Sequence, residues 1–339
     1  MYSPAVSLFI NFFKLLVKCN KYKHGKIGYV VMGTEEVLLG FNKFAFHWFF
    51  PEIVAINEGL FEANNVMCRL MELGREGWDD KSDLYVTAMR NGLTDFYHCG
   101  EWVGVVRVLK GTAGRIAAKS RPAQGTLNSS FTIFVSNKSS VYTPRELEGK
   151  TIAVEAGTGS YYAARADLES YLSPEKINLV SISEPHERFK ALARGDVAAA
   201  SLLGPWAKLA SKNGFRPILT TRRDNPTLLI IADRVRDNTA LRLVKSLNEA
   251  INRINKDPWR YNELYFRYFR EVAAAGGVDE KWVECIGSEL LVDRWSPWEP
   301  YSFEELERVS RWMLDRKLIS KIPEQGSVRT GFWAPASPT

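Results

Sequence analysis

The chain has 339 residues, of which 45% are hydrophobic and 25% charged, and its formal net charge is +6. This length predicts about two domains, and the composition is that of a globular protein with full cores, which excludes a largely disordered chain. No dense run of lysine and arginine occurs, so nucleic acid is not an expected partner, and the mild basic excess fits an anionic ligand or an anionic membrane surface. The four cysteines form no C-x-x-C pair, which argues against a zinc ribbon or a disulfide scaffold.

Residues 1–25 are interpreted as an N-terminal extension or a degenerate signal. The apolar run Leu8–Val17 is interrupted by Asn11 and Lys14, and no basic residue precedes it. It is also too short to span a bilayer. Both an exported and a cytoplasmic location therefore stay open.

From Lys26 to residue 122, short β-rich runs alternate with amphipathic helical stretches. This alternation is typical of βαβ units on a mostly parallel sheet. The predicted strands are Lys26–Met32, Met67–Leu73, Asp95–Cys99 and Arg115–Lys119, and the predicted helices are Pro51–Asn64, Leu84–Asn91 and Val103–Leu109.

A Pro- and Gly-containing stretch, Arg121–Asn128, interrupts this pattern, and a second α/β series follows it. A capping box at Thr143–Glu146 predicts a helix start within this series. The other predicted elements of the series are the strands Phe131–Ser136, Lys150–Glu155, Ile177–Ile182, Val197–Leu202 and Arg216–Thr220, and the helices Tyr161–Leu172, Glu187–Arg194 and Trp206–Lys212. After Thr221–Pro226 come one more strand, Thr227–Ala232, and then helices only. A second capping box at Ser302–Glu305 predicts one of these helix starts. One face of another helix is marked by Leu241, Val244, Leu247, Ile251 and Ile254.

The two connections near 121–130 and 221–227 bracket the second series. An α/β unit inserted into another through two short crossovers forms two lobes joined by a hinge, and ligands bind in the cleft between such lobes. We therefore predict lobe 1 from residues 26–122 plus 226–333, including the C-terminal helices, and lobe 2 from residues 123–225. Each lobe is expected to hold a mostly parallel sheet flanked by helices.

The loop before the predicted helix 161–172 is the strongest candidate for an anion-binding site. Glycines allow close backbone approach, and a helix N-terminus offers unpaired N–H groups that suit sulfonate, phosphate or carboxylate. The alternative is a tight turn with a serine cap. The candidate residues of the loop are Glu155, Gly157, Thr158, Gly159, Ser160 and Tyr161.

Further candidates follow the ends of predicted strands, where open α/β sheets bind ligands. Thr126 and Asn128 lie instead in the first connection, where they could donate hydrogen bonds. The alternative for the aromatic residues among them is burial in the core. These candidates are His47, Trp48, Glu101, Trp102, Thr126, Asn128 and Trp206. The adjacent residues His98 and Cys99 are not expected to form a catalytic pair, because neighbouring strand residues point to opposite faces.

Three stretches, Pro51–Phe61, Leu147–Ser160 and Ala191–Ala198, resemble motifs of the periplasmic-binding-protein type 2 family, in the group of sulfonate, taurine and nitrate receptors and thiamine-pyrimidine synthases. The resemblance covers about residues 26–256. The chain departs from it where Tyr161 follows Ser160, since many members have a histidine there, and where no acidic residue precedes Pro205.

The resemblance implies a two-lobed α/β binding protein, the substrate-binding component of an ABC importer for a small anionic or aromatic ligand. A permease is then a partner, and a monomer is expected. No catalytic set, metal site or cofactor is predicted. Two alternatives stay open: an enzyme on the same fold, related to thiamine-pyrimidine synthesis although the cysteine cluster of those enzymes is lacking, or a cytosolic ligand sensor.

Overall fold

The computed structural model describes residues 35–73, 83–121, 130–221 and 226–333. The predicted strand Lys26–Met32 and the candidates Thr126 and Asn128 lie outside these residues. So do the predicted lobe boundaries at 122–123 and 225–226. The first described strand is Glu35–Phe41.

The sheet of lobe 1 has five strands in the order β2-β1-β3-β10-β4, and only β10 is antiparallel to its neighbours. All six residues of β10 are buried, because it lies between two strands with both faces covered. The strands are β1 (Glu35–Phe41), β2 (Val66–Glu72), β3 (Phe96–Gly100), β4 (Gly114–Ser120) and β10 (Thr227–Ala232).

The sheet of lobe 2 repeats this arrangement in the order β7-β6-β8-β5-β9, with β5 as its single antiparallel strand. Each lobe thus contains a mostly parallel sheet, which confirms the prediction. The strands are β5 (Thr132–Val135), β6 (Thr151–Val154), β7 (Asn178–Ser181), β8 (Ala199–Leu202) and β9 (Arg216–Thr220).

Eleven α-helices within the described ranges flank the sheets and form the C-terminal part. None of the described helices is both long and apolar enough to span a membrane. The helices are α1 (Phe50–Asn57), α2 (Leu60–Ala63), α3 (Leu84–Arg90), α4 (Glu101–Leu109), α5 (Gly159–Leu168), α6 (Pro185–Arg194), α7 (Pro205–Lys212), α8 (Asp237–Lys256), α9 (Asn262–Ala275), α10 (Glu280–Glu284) and α11 (Phe303–Asp315).

The two predicted capping boxes have different outcomes. Ser302 and Glu305 exchange side-chain to backbone hydrogen bonds at the start of α11, as predicted. Thr143 donates its N–H to Glu146 at 2.8 Å, but only the 3₁₀ turn Pro144–Leu147 follows. The turn ends because the next residues become extended and then left-handed, with Gly149 at φ 67°.

The C-terminal helices pack on both lobes. In lobe 2, Phe189 meets Trp282 of α10 with ring centroids 5.0 Å apart, and Trp206 meets Phe269 of α9 at 5.1 Å. Lys190 of α6 donates to the carbonyl of Gly276 at 2.8 Å. One hydrophobic core consequently runs through both lobes.

Candidate functional site

A 3₁₀ segment, Lys43–Phe49, carries the candidates His47 and Trp48 at the carboxyl end of β1. Its start is fixed by Asn42, whose side chain accepts the N–H of Phe44 at 2.9 Å. Phe46 is fully buried and packs on Tyr265 of α9, with ring centroids 5.0 Å apart. The segment is therefore anchored through its phenylalanines.

His47 lies directly against Gly204 of lobe 2. A Cβ placed on Gly204 would be 2.6 Å from His47 Cδ2 and 3.0 Å from Nε2. The imidazole is 8% exposed, and neither ring nitrogen has a hydrogen-bond partner among the residues that the structure describes. Burial lowers the pKa of His47 to about 3, so the ring is neutral at physiological pH.

Trp48 and Trp102, both predicted on strand ends, also face lobe 2. Trp48 lies 6.5 Å from Phe131 and Trp102 lies 6.2 Å from Tyr162, measured between ring centroids. Trp102 is 5% exposed and also contacts Trp312 of α11 at 5.7 Å. The interface between the lobes is thus lined by aromatic rings at the carboxyl ends of the sheets.

The glycine-containing loop is held by its own hydroxyl groups. Ser160 is buried and accepts the N–H of Glu155 at 2.8 Å, while the Thr158 hydroxyl donates to the Glu155 carbonyl at 2.9 Å. Gly157 needs its positive φ of 72° for this turn. The alternative of a serine-stabilised turn is therefore present, and the serine bonds back into the loop rather than to the first turn of the helix.

Helix α5 begins at Gly159, and its N-terminus bears the partial positive charge and amide groups of a helix start. Phe131 covers this end, because a Cβ on Gly159 would be 2.8 Å from Phe131 Cζ. Tyr161 packs at right angles on Tyr162 with centroids 5.3 Å apart. The aromatic interface and the helix start are therefore adjacent.

Glu101 begins α4, directly after β3. Its N–H donates to the carbonyl of Pro226 at 3.0 Å, and its side chain accepts the Tyr301 hydroxyl at 2.7 Å. Burial raises the pKa of Glu101 from an ordinary 4.5 to about 7, although the Tyr301 hydrogen bond opposes the rise. Glu101 thus changes charge near neutral pH, at a position whose backbone is hydrogen-bonded to Pro226 just before β10.

Replacing Glu101 by glutamine should stabilise the protein at neutral and alkaline pH but not near pH 4. Folding raises the pKa of this carboxyl from 4.5 to about 7. The folded state is therefore not destabilised by Glu101 below pH 4.5, where the group is protonated whether or not the chain is folded. It loses stability as the pH rises from 4.5 to about 7, because the unfolded chain ionises the carboxyl more readily. Glutamine still accepts the Tyr301 hydrogen bond without carrying charge. The free energy of unfolding in urea should rise by roughly 2–3 kcal/mol near pH 8 and be unchanged near pH 4. An equal difference at both pH values would contradict this assignment.

Trp206 is fully buried at the start of α7. Its indole Nε1 donates to the carbonyl of Phe44 at 3.3 Å, which is a hydrogen bond from lobe 2 to the His47 segment. Its predicted role in contacting ligand stays a prediction. The structure places it behind the interface, as a tie between the lobes.

Several residues of the interface are not among the sequence candidates. Gly204 and Phe131 carry no polar group that would mark them. Arg188 of α6 is buried and donates to the carbonyls of Ile182, Ser183 and Ser201 near the carboxyl ends of β7 and β8. Its position four residues before the buried Leu192 is the sequence signal that could have identified it.

The neighbouring residues His98 and Cys99 contact different groups. His98 faces Glu52, with His98 Nε2 3.4 Å from Glu52 Oε1, whereas Cys99 packs near Gly104 of α4. Burial raises the pKa of the Cys99 thiol to about 11. In the described part of the chain, no three His, Cys, Asp or Glu side chains form a group that could hold a metal ion.

No family sequence model and no curated protein sequence matches the chain. Solved structures do match. The alkanesulfonate-binding protein SsuA from Xanthomonas axonopodis pv. citri, bound to MOPS, has a TM-score of 0.64 at 17% identity over 86% of this chain and 96% of that one. The periplasmic aliphatic sulphonate binding protein SsuA from Escherichia coli has a TM-score of 0.64 at 14% identity, over 90% and 94%.

The desulfurization enzyme DSZB also matches, with a TM-score of 0.55 at 17% identity over 88% of this chain and 97% of that one. One fold is thus shared by binding proteins and an enzyme, and identities this low bear on the fold alone. Together with the two sheets and their strand order, the likeness shows that this chain has the two-lobed fold of the periplasmic binding proteins, type 2.

Proposed function

We propose that the protein is the substrate-binding component of an ABC importer and clamps a small anionic ligand between its lobes. The observation that supports this most is the aromatic interface between the lobes, which lies beside the N-terminus of α5 at the carboxyl ends of both sheets. A location outside the cytoplasm and a permease as partner follow from this proposal. We also propose the lobe boundaries at 122–123 and 225–226.

A sulfonate is the proposed ligand class. The N-terminus of α5 offers amide donors and a positive dipole end to an anion, and the rings of Trp48, Phe131 and Trp102 suit an apolar or aromatic substituent. The structures of similar fold include proteins that bind alkanesulfonates, and a DSZB variant in complex with biphenyl-2-sulfinic acid.

A same-fold enzyme is the second candidate, since DSZB has a similar structure. Thiol chemistry is disfavoured at two of the cysteines, because the pKa of Cys68 is raised well above its ordinary value by burial and that of Cys99 to about 11. A nucleophilic thiol requires the opposite shift.

Calorimetric titration with matched pairs tests the proposal. Propanesulfonate and benzenesulfonate carry the anion, and the corresponding sulfonamides are neutral and of similar shape. At least one sulfonate should bind saturably, one molecule per chain, and its sulfonamide should bind much more weakly. If the sulfonamides bind as well as the sulfonates, the anion site is wrong.

Replacing Ser160 by alanine should weaken binding of that sulfonate by roughly 5- to 150-fold. Its hydroxyl is the acceptor for the Glu155 N–H, and a buried amide left without a partner costs about 1–3 kcal/mol. The loop that starts α5 would then lose its fixed conformation. Ser211→Ala, on the exposed face of α7, is the control and should bind normally. Wild-type affinity in Ser160→Ala would show that the loop does not position the ligand.

A further inference from the structure

The contact between His47 and Gly204 exists only while the two lobes are together. His47 belongs to the segment after β1 in lobe 1, and Gly204 joins β8 to α7 in lobe 2. The glycine has φ 58° and ψ −135°, and its lack of a Cβ allows the imidazole to lie on its backbone. When the lobes separate, this ring is exposed to water.

Closure buries the ring at an energetic cost. Both imidazole nitrogens lose water and gain no partner within the described ranges, and each unsatisfied buried polar group costs on the order of 1–3 kcal/mol. The ring also cannot take up a proton in this position, because burial lowers its pKa to about 3. An open lobe would restore both hydrogen bonding and the ordinary pKa of 6.5.

The charged groups on the surrounding elements do not offset this burial. On its own segment, Lys43 pairs with Glu72 at 2.8 Å. On α7, Lys208 pairs with Glu289 at 3.5 Å. On α6, His186 stacks on Phe44 and has its own pKa lowered to about 4, chiefly by burial. Burial is accordingly the cause of the lowered pKa of His47.

We propose that protonation of His47 opens the clamp, so that a ligand bound at neutral pH is released as the medium becomes acidic. The inference rests on the proposed function, because it concerns closure around the ligand. This pH dependence is opposite to that of a histidine that contacts an anionic ligand, since such a histidine would bind the anion more tightly when protonated.

The size of the effect follows from proton linkage. The pKa of His47 is 6.5 in water and about 3 in the closed state. Above pH 6.5 the ring is neutral in both states and does not oppose closure. As pH falls from 6.5 toward 3, the open state takes up a proton that the closed state does not, and the closed state becomes less stable relative to it. Near pH 5, protonation of His47 shifts the equilibrium between closed and open lobes about 30-fold toward the open state. Between about pH 7.5 and pH 5, therefore, affinity should fall by up to about 30-fold.

Small-angle scattering of the ligand-free full chain tests the closure step without any ligand. Near pH 5, wild type should have a larger radius of gyration than His47→Phe, which cannot take up a proton at this position. Glu101, whose pKa is raised to about 7, also changes charge within this pH range. Glu101→Gln is therefore measured as a control, and near pH 5 its radius of gyration should equal that of wild type. Equal radii for wild type and His47→Phe near pH 5 would overturn the proposal.

Titration with the sulfonate identified above tests the release step, and sulfonates stay ionised throughout this pH range. The dissociation constant of wild type should rise about 30-fold from about pH 7.5 to pH 5, and that of His47→Phe by less than about threefold. A wild-type constant that stays level or falls would overturn the proposal. If no sulfonate binds at neutral pH, the proposed ligand class fails, and the scattering result still decides the role of His47.

Discussion

Replacing Gly204 by alanine is expected to weaken ligand binding by at least about 100-fold, or about 2.7 kcal/mol. The added methyl group would lie 2.6 Å from His47 Cδ2, so the lobes could not close to the observed separation. The backbone of Gly204, at φ 58° and ψ −135°, is also strained for any residue with a Cβ. Titration calorimetry with a bound sulfonate measures the loss.

Two variants separate the blocked closure from backbone strain. Gly195→Ala is the control, because Gly195 also has a positive φ of 81° but its Cβ would meet no atom within 4 Å. This variant should bind normally. Small-angle scattering should show little decrease in the radius of gyration when Gly204→Ala is mixed with ligand. Adding His47→Ala should restore part of that decrease, because the obstructing ring is removed. Normal binding by Gly204→Ala would show that the lobes do not need this contact to clamp the ligand.

Trp206→Ala should lower the free energy of unfolding by about 3–5 kcal/mol, the usual cost of truncating a buried tryptophan. The indole is fully buried, packs on Phe269 and donates to the carbonyl of Phe44. Urea unfolding followed by circular dichroism measures this change. Trp259→Ala is the control, because that side chain is 67% exposed and its loss should change stability by less than about 0.5 kcal/mol.

Trp206→Phe separates packing from the hydrogen bond. It keeps an aromatic ring in the core but removes the donor to Phe44, which ties lobe 2 to the His47 segment. The variant should therefore lose more free energy of ligand binding than free energy of unfolding. If Trp206→Ala and Trp259→Ala have the same free energy of unfolding, the description of the core around α7 and α9 is wrong.

The regular strands could be predicted from the sequence because their hydrophobic patterns are local. The predicted strands Arg216–Thr220 and Thr227–Ala232 have the bounds of β9 and β10. Strand β1 was missed because Gly40 interrupts its apolar run and is typical of a loop. The structure explains this glycine, since a Cβ there would lie 2.9 Å from Thr94 Oγ1.

Helical faces were predictable to the same extent. Val244, Leu247, Ile251 and Ile254 of α8 are buried as predicted, but Leu241, assigned to the same face, is 43% exposed. Thr239, Ala240 and Leu243 are buried around it, so the helix is packed at this point and Leu241 lies at the edge of the buried face.

The pairing of site residues could not be predicted, because it depends on contacts between distant parts of the chain. His47 and Gly204 are separated in sequence by most of the first segment of lobe 1 and most of lobe 2, and no local pattern indicates that they meet. The sequence did indicate the loops at the carboxyl ends of the strands, since that follows from βα connectivity. Whether a side chain there faces a ligand, as predicted for Trp206, or ties the lobes together depends on the packing of α7 against α9.

Native mass spectrometry of the full chain tests the central proposal most directly. The purified protein is incubated with a small-molecule extract of the cells from which it comes, and the bound compound is released and weighed. We predict one adduct per chain, an anion, which is recovered with its mass unchanged after prolonged incubation with excess compound. The absence of any adduct, or conversion of many molecules of the compound per chain, would contradict a protein that clamps its ligand and returns it unaltered.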